Sequence, residues 1–553
     1  MQRNPHRYQI ATGYRTFYSL SLIYQPITKK RLFLSKKPLD SLTEDAVFND
    51  DALLTAYVTA CYNAYPNGFD EAMSSSATDE SYTRHGDGSS NIVARGEMNP
   101  DNVENFDSGR FSNFNYWNTA YEYLRNINTF FAKYEEAQVT EELKSRLYGE
   151  MKFIRAFVYS NLIWRFGGVP IITKAYTLED TDYSITRNTY EECVDFILKD
   201  LDEAIEHLPA KMEGENKGRA SADACKALKS RLLLYAASPL VNTSNDLKKW
   251  ELARDAAKAV IDLPGYSLAS DYRTLFLEDN DEVIFRRYYT KANANRVNLF
   301  NSPNGYGGWG GNCPIQNLVD DYEMKATGKK PAEAGSGYDP ANPYEGRDPR
   351  FYATVLHNGA MFRGRAVETF IPNGQDSEQG AIGSWNCSKT GYYLHKFHDE
   401  NQVINESEAT TVPWTFFRLA EFYLNYAEAQ YYLGNEEECR KAINVVRSRE
   451  GVEMPPVTAS GTELLEKLRN ERRIELSFEN QRYFDLRRWK IADEYENKNS
   501  IGIKIEKDEN GNFKYTEITV LERNFLPQHY WLPIPRSEII KSNYTLEQNP
   551  YYN

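Results

Sequence analysis

The chain of 553 residues carries 65 Lys+Arg against 79 Asp+Glu, a net charge of −14, and 41% of it is hydrophobic. That balance gives the chain as a whole no attraction to nucleic acid or to an anionic membrane face. An aromatic content of 14%, with 40 Tyr, excludes intrinsic disorder and leaves ample material for a large core.

The first 37 residues hold eight Lys/Arg and no acid, which sets 1–37 apart as a basic N-terminal tail. Phe17–Tyr24 is apolar but too short and interrupted for a signal-peptide core, and no cysteine precedes Cys61. From Leu39 the pattern turns helical. Cap residues over Asp40–Asp45 lead into a helix over Ala46–Tyr65. Residues 66–110 are polar and glycine-rich, the composition of a long loop. Helical periodicity returns over Asn113–Phe131 and Glu141–Phe166, where Gly167-Gly168-Val169-Pro170 ends it. Thr189–Leu208, Ser221–Ser238 and Trp250–Leu263 continue the plan. Over 266–410 Gly, Asn, Pro and aromatics rise, and periodicity fades except near Gln316–Met324. Helices resume at Phe416–Leu433, Glu436–Arg449, Glu463–Asn480 and Tyr483–Lys490. Antiparallel helices on a two-residue turn, with Ala at the contacts, predict irregular tetratricopeptide-like pairs. Asp508-Glu509-Asn510-Gly511-Asn512 marks a hairpin between alternating strands.

Chemistry is sparse. There is no GxSxG, Walker loop, HExxH, GxGxxG or complete EF-hand loop. The six cysteines (Cys61, Cys193, Cys225, Cys313, Cys387, Cys439) form no CxxC and read as buried thiols. His395 and His398 are close in sequence, but their surroundings read as strand, which makes them a packed or exposed pair. No apolar run approaches the ~18 residues of a membrane span. No metal and no cofactor is expected. Glu471, Glu475 and Glu479 recur at i, i+4, i+8 beside Arg472, Arg473, Arg482, Arg487, Arg488 and Asp485. Near-balanced charge of that kind predicts an ion-pair network between helices rather than a catalytic carboxylate pair.

The informative segment is Asn304-Gly305-Tyr306-Gly307-Gly308-Trp309-Gly310-Gly311-Asn312. Glycines allow unusual backbone and leave rings accessible. Flat aromatic faces beside amides and guanidiniums suit sugars, whose C–H faces stack while hydroxyls take hydrogen bonds. Trp309 and Tyr306 are therefore candidate ligand contacts, with Asn312 for hydroxyls. A second polar loop, Asp79–Gly86, offers Tyr82 and Arg84 across from them, and Tyr288 supplies a further ring.

Several segments in order resemble the SusD/RagB family of outer-membrane nutrient-binding lipoproteins. They are Pro38-Leu39-Asp40, Arg155-Ala156-Phe157 through Trp164-Arg165-Phe166-Gly167-Gly168-Val169-Pro170, Gly218-Arg219-Ala220, Gln316-Asn317-Leu318-Val319-Asp320 with Tyr322-Glu323-Met324, and Phe417-Arg418-Leu419-Ala420-Glu421. Asn470-Glu471-Arg472-Arg473-Ile474-Glu475-Leu476, Arg482-Tyr483-Phe484-Asp485-Leu486-Arg487-Arg488-Trp489 and Leu532-Pro533-Ile534-Pro535 complete the set. The resemblance implies a mainly α fold over 38–553. Its helical-repeat body, 38–265 and 411–553, would carry four tetratricopeptide-like pairs and support a loop-rich ligand-face insertion, 266–410. It further implies a non-enzymatic protein at the outer-membrane surface that captures glycans and sits as a lid on a SusC-like TonB-dependent transporter. The family's lipid-anchor cysteine, expected just before a segment like Phe33–Pro38, has no counterpart in this sequence; the basic tail stands in its place. The rival expectation is a helical-repeat scaffold that binds peptides or proteins, and a third is a glycosidase.

Overall fold

A computed structural model describes residues 44–552, apart from 67, 86–88, 107–113, 178, 381–384 and 406–408; the basic tail 1–37 lies outside the described residues. The principal helices are α1 (Asp51–Cys61), α2 (Trp117–Lys133), α3 (Glu141–Phe166), α4 (Tyr190–His207), α5 (Ala222–Ala237) and α6 (Leu247–Ile261). After a long insertion follow α7 (Leu419–Tyr432), α8 (Glu436–Arg447), α9 (Gly461–Glu475) and α10 (Arg482–Arg488). The helix expected over Ala46–Tyr65 is divided. A short turn covers Glu44–Phe48, and α1 starts afresh because the Asp50 carboxylate accepts from Ala52 N and Leu53 N at 3.0 and 2.9 Å.

Capping fixes the later starts as well. Thr189 and Glu192 close a reciprocal capping box on α4, and Ser221 accepts from Ala224 N on α5. α3 ends at Gly167, whose φ of +75° is left-handed, and a Cβ on Gly168 would stand 2.1 Å from Asn188 O. The helices pack in succession, α3 on α4, α4 on α5, α5 on α6, α6 on α7, α7 on α8, with α9 across α7 and α8. α3 is buried almost all round from Leu147 onward, so it forms the axis of the body. Trp250 of α6 stacks on Tyr432 of α7 at 4.0 Å, joining helices on either side of the insertion.

The strands that matter for position are β1 (Ser81–Thr83), β2 (Val283–Arg287), β3 (Asn312–Pro314), β4 (Trp414–Arg418), β5 (Ser500–Lys507) and β6 (Phe513–Leu521). β2 pairs antiparallel with β4, Val283 opposite Arg418 and Arg287 opposite Trp414, which closes the insertion at its base. β5 and β6 form the expected hairpin, its turn closed by Gly511 N on Asp508 O. The polar stretch within 66–110 is not a surface loop. Residues 69–83 are buried throughout, and they contain a short 3-10 turn and β1.

The Glu471/Glu475/Glu479 stripe is fully paired, but not by its sequence neighbours. Glu475 meets Arg418 at 2.6 Å and both Arg350 and Arg449 at 2.8 Å. Glu471 meets Arg350 and Arg447, while Glu479 meets Arg418 and Lys396, each of these last two at 2.7 Å. Arg418 and Arg449 share Glu282, and Arg447 reaches Glu323. The adjacent arginines serve other ties: Arg472 and Arg488 hold Asp485, Arg473 and Arg482 hold Asp79, and Arg487 holds Glu496.

Burial alone would raise the Glu475 carboxyl. Arg449, Arg418 and Arg350 outweigh it and hold the group well below the usual carboxylate range. Asp485 is lowered in the same way by Arg472 and Arg488 against its burial. Groups with depressed folded pKa contribute stability above the unfolded value and lose it as pH falls through the folded one. The melting temperature is therefore expected to hold down to about pH 4 and then drop on further acidification. Glu475→Ala takes one carboxylate from each of three buried guanidiniums, which keep Glu471, Glu479 and Glu282, and should cost ~3 kcal/mol in urea unfolding at neutral pH. Arg487→Ala, which uncovers Glu496, should also lower stability.

Candidate functional site

The glycine-rich segment folds back on the short helix Val297–Asn301. Trp309 N donates to Leu299 O at 2.8 Å, Gly310 N to Ser302 O at 3.0 Å, and Gly311 N to Phe300 O at 2.7 Å. The glycines are needed for this approach. A Cβ on Gly308 would lie 2.2 Å from Ser302 O, and Gly310 has φ +54° with Asn386 O 2.6 Å from its missing Cβ. They serve backbone closeness first, and the exposure of the ring follows from it.

β1 pairs antiparallel with β3, Tyr82 opposite Cys313 and Thr83 opposite Asn312. This short ladder joins the two loops nominated from sequence, and Arg84 N extends it by donating to Gly311 O at 2.9 Å. Beyond it the backbone carries Arg84 and His85 against the rings. His85 Nε2 donates to the Trp309 carbonyl at 2.6 Å, and Arg84 Nε donates to the Trp385 carbonyl at 3.0 Å. A carbonyl can only accept, so His85 carries its proton on Nε2. The Trp309 ring, half-buried, lies 5.5 Å from Phe300, 5.8 Å from His85 and 6.3 Å from Trp385. Trp385 is the outermost, 58% exposed. Two indoles and an imidazole thus form a tilted aromatic surface with a guanidinium at its edge, a geometry suited to the C–H face of a flat polar ligand.

The other nominated residues are placed differently. Asn312 is buried and spends its amide inside the protein. Its Oδ1 accepts from Met73 N at 2.8 Å and Ser76 Oγ at 3.0 Å, and its Nδ2 donates to Glu71 O at 3.0 Å and Asn301 Oδ1 at 2.8 Å. Tyr82 is buried on β1, with Lys389 Nζ over its ring at 6.0 Å. Tyr306 donates from its hydroxyl to Phe362 O at 2.8 Å, and the Arg365 guanidinium, itself held by Asp376, covers its ring at 3.8 Å. Burial pushes the Tyr306 hydroxyl up to about 12, and likewise the thiol of Cys313 on β3. Tyr288 lines a separate cleft beside α1. The structure therefore gathers Trp309 and Arg84 with two residues the sequence reading passed over, His85 and Trp385. A signal was present for Trp385: Gly383-Ser384-Trp385-Asn386 repeats, in shorter form, the glycine–tryptophan–asparagine pattern around Trp309. Among the described residues no cluster of His, Cys, Asp and Glu is arranged to hold a metal ion.

A mainly helical body that carries a loop-built aromatic surface defines a binding protein of repeat-supported type. Sequence profiles agree on which one. The SusD family matches residues 281–552, and a family described as starch-binding associating with outer membrane matches residues 32–234. A SusD-like protein from Bacteroides fragilis NCTC 9343 is 32% identical in a structural match covering 94% of this chain and 100% of that one, with a TM-score of 0.77. A SusD-like carbohydrate binding protein from the same strain is 25% identical over 90% of this chain and 99% of its own, TM-score 0.76. Among curated sequences, a SusD-like protein of Bacteroides ovatus is 23% identical over 482 residues, 79% of this chain and 80% of that protein. The chain belongs to the SusD family.

Asn312→Ala removes the amide that joins β3 to residues 71–76. With buried donors and acceptors left unpaired, it should cost about 2 kcal/mol or more of stability. Thermal melting of the variant checks it.

Proposed function

We propose that this protein is a non-catalytic glycan-binding protein of the outer-membrane surface, which captures an oligo- or polysaccharide and delivers it to a SusC-like TonB-dependent transporter. The observation that carries the reading is the Trp309–Trp385–His85 surface, where an exposed indole stands on a backbone fixed from behind. Relatives support the ligand class: one solved neighbour is described as carbohydrate binding and another as a laminarin binding SusD-like protein. The matching family description, associating with outer membrane, supports the location. The absence of nucleophile and metal motifs in the sequence accords with a family of binding proteins rather than enzymes. In this reading Trp309 and Trp385 stack on the sugar and Arg84 takes hydroxyls. Tyr306, Tyr82 and Asn312 shape the loop behind them.

The test is a pair of variants titrated against a glycan that the unmodified protein binds. Trp385→Ala, at an exposed position, should leave the melting temperature unchanged and lower affinity about thirtyfold, or ~2 kcal/mol. Trp309→Ala should remove most of the affinity. Unchanged calorimetric titration in both variants would sink the assignment. Binding only to peptides, across a glycan array and a peptide panel, would favour a protein-interaction scaffold instead. Co-purification with a TonB-dependent barrel from outer-membrane extracts, and its loss on washing with competing soluble protein, tests delivery.

A further inference from the structure

Tyr288 lies in a cleft that the aromatic surface does not use. Its volume is about 1060 Å³, and it is walled by α1, residues 215–219, the end of β2 and Phe416 of β4. That is at the upper end for small-molecule sites. The floor is aromatic: Phe285 and Phe416 stack at 5.4 Å with Tyr65 edge-on to both, and Tyr62 stands beside them. The rim is polar, with Thr55, Thr59, Asn63 and Asn293 among its residues.

The cations of this cleft differ in one respect. Lys217 is paired with Asp279, and Arg219 with the buried Glu150 and with Thr59 Oγ1. Arg286 points inward to the carbonyls of Glu278 and Leu275. Among the described residues Arg287 alone reaches the rim without a carboxylate: it donates to Asn63 Oδ1 at 3.2 Å and lies 5.2 Å from the Tyr289 ring. Asp51 and Glu215 also line the cleft, and neither pairs with it. A guanidinium with unspent donors beside an aromatic floor and hydroxyl and amide groups fits a carboxylate carried on a sugar ring, which it can take bidentately.

We infer that the cleft between α1 and β2 is a second saccharide subsite, selective for a uronic acid residue, with Arg287 taking the carboxylate, Phe416 the ring face, and the Asn63 amide and Thr55 Oγ1, as an acceptor, the hydroxyls. It rests on the glycan-binding reading for the class of ligand, but not on the Trp309–Trp385 surface. The test is affinity electrophoresis of the full chain through gels containing polygalacturonate, alginate, hyaluronan, the sulfated and uronate-free carrageenan, or neutral laminarin. At least one uronate polymer should retard the protein, and Arg287→Gln should weaken that retardation about tenfold. Ala56→Trp, an exposed position at the cleft mouth, should block it without touching the core, and Trp385→Ala should leave it in place. Retardation by no uronate polymer, or by carrageenan alone, overturns the inference. So does unchanged retardation in Ala56→Trp, or its loss in Trp385→Ala. Failure of the main site reads out separately, as Trp385→Ala having no effect on any glycan.

Discussion

The structure depends on buried charge that no local segment can satisfy. Glu471, Glu475 and Glu479 sit where water does not reach, and their partners arrive from every part of the second half: Arg350 and Lys396 from the insertion, Arg418 from β4, Arg447 and Arg449 from the end of α8. Desolvating so many ions is unfavourable unless each is met in good geometry. The consequence is register. A displaced insertion would leave several charges unpaired together, so the loop-rich segment has one seat on the helical body. The β2–β4 ladder and the Trp250–Tyr432 stack close the same joint from its other sides.

That seat is what makes an aromatic surface on loops precise. Trp309 stands on backbone bonds to residues 299–302, and those residues connect through Asn301 and Asn312 to the buried stretch 71–76. Behind that stretch, Asp79 is gripped by Arg473 and Arg482, and Arg523 donates to the carbonyls of Ala77 and Thr78. A continuous line of hydrogen bonds and ion pairs thus runs from the helical body to the ring surface. Preorganisation of this kind lowers what a ligand must spend on ordering the site.

Much of the helical body is readable from the sequence, because apolar periodicity, Thr and Ser caps and the Gly-Gly stop at 167–168 are all local signals. The closing hairpin at 508–512 is equally local. The buried stretch 69–83 defeats such reading. Asp70, Glu71, Ser74–Ser76, Asp79 and Glu80 have the composition of a surface loop, and the partners of Ser74, Ser76 and Asp79, which are Asn480, Asn312, Arg473 and Arg482, lie hundreds of residues away. The acidic stripe misleads in the same manner: the arginines beside it in sequence are the wrong ones, since a helix turns adjacent side chains to different faces. At the ring surface, Trp309 is announced by its glycines. Trp385 carries a shorter form of the same pattern, His85 is visible only when β1 and β3 are paired, and Asn312, which composition offers to the ligand, is claimed by the protein.

The three-residue ladder between β1 and β3 spans more than two hundred positions of chain, and its supporting grips reach to Arg473, Arg482 and Arg523. Contacts so remote along the sequence pay their loop-closure entropy before they are rewarded. During synthesis the early helices α1 to α6 can pair as they emerge, while residues 69–85 wait for β3 at 312–314 and then for Arg473, Arg482 and Arg523. The ring surface is accordingly assembled later than the helix pairs that precede it in the chain.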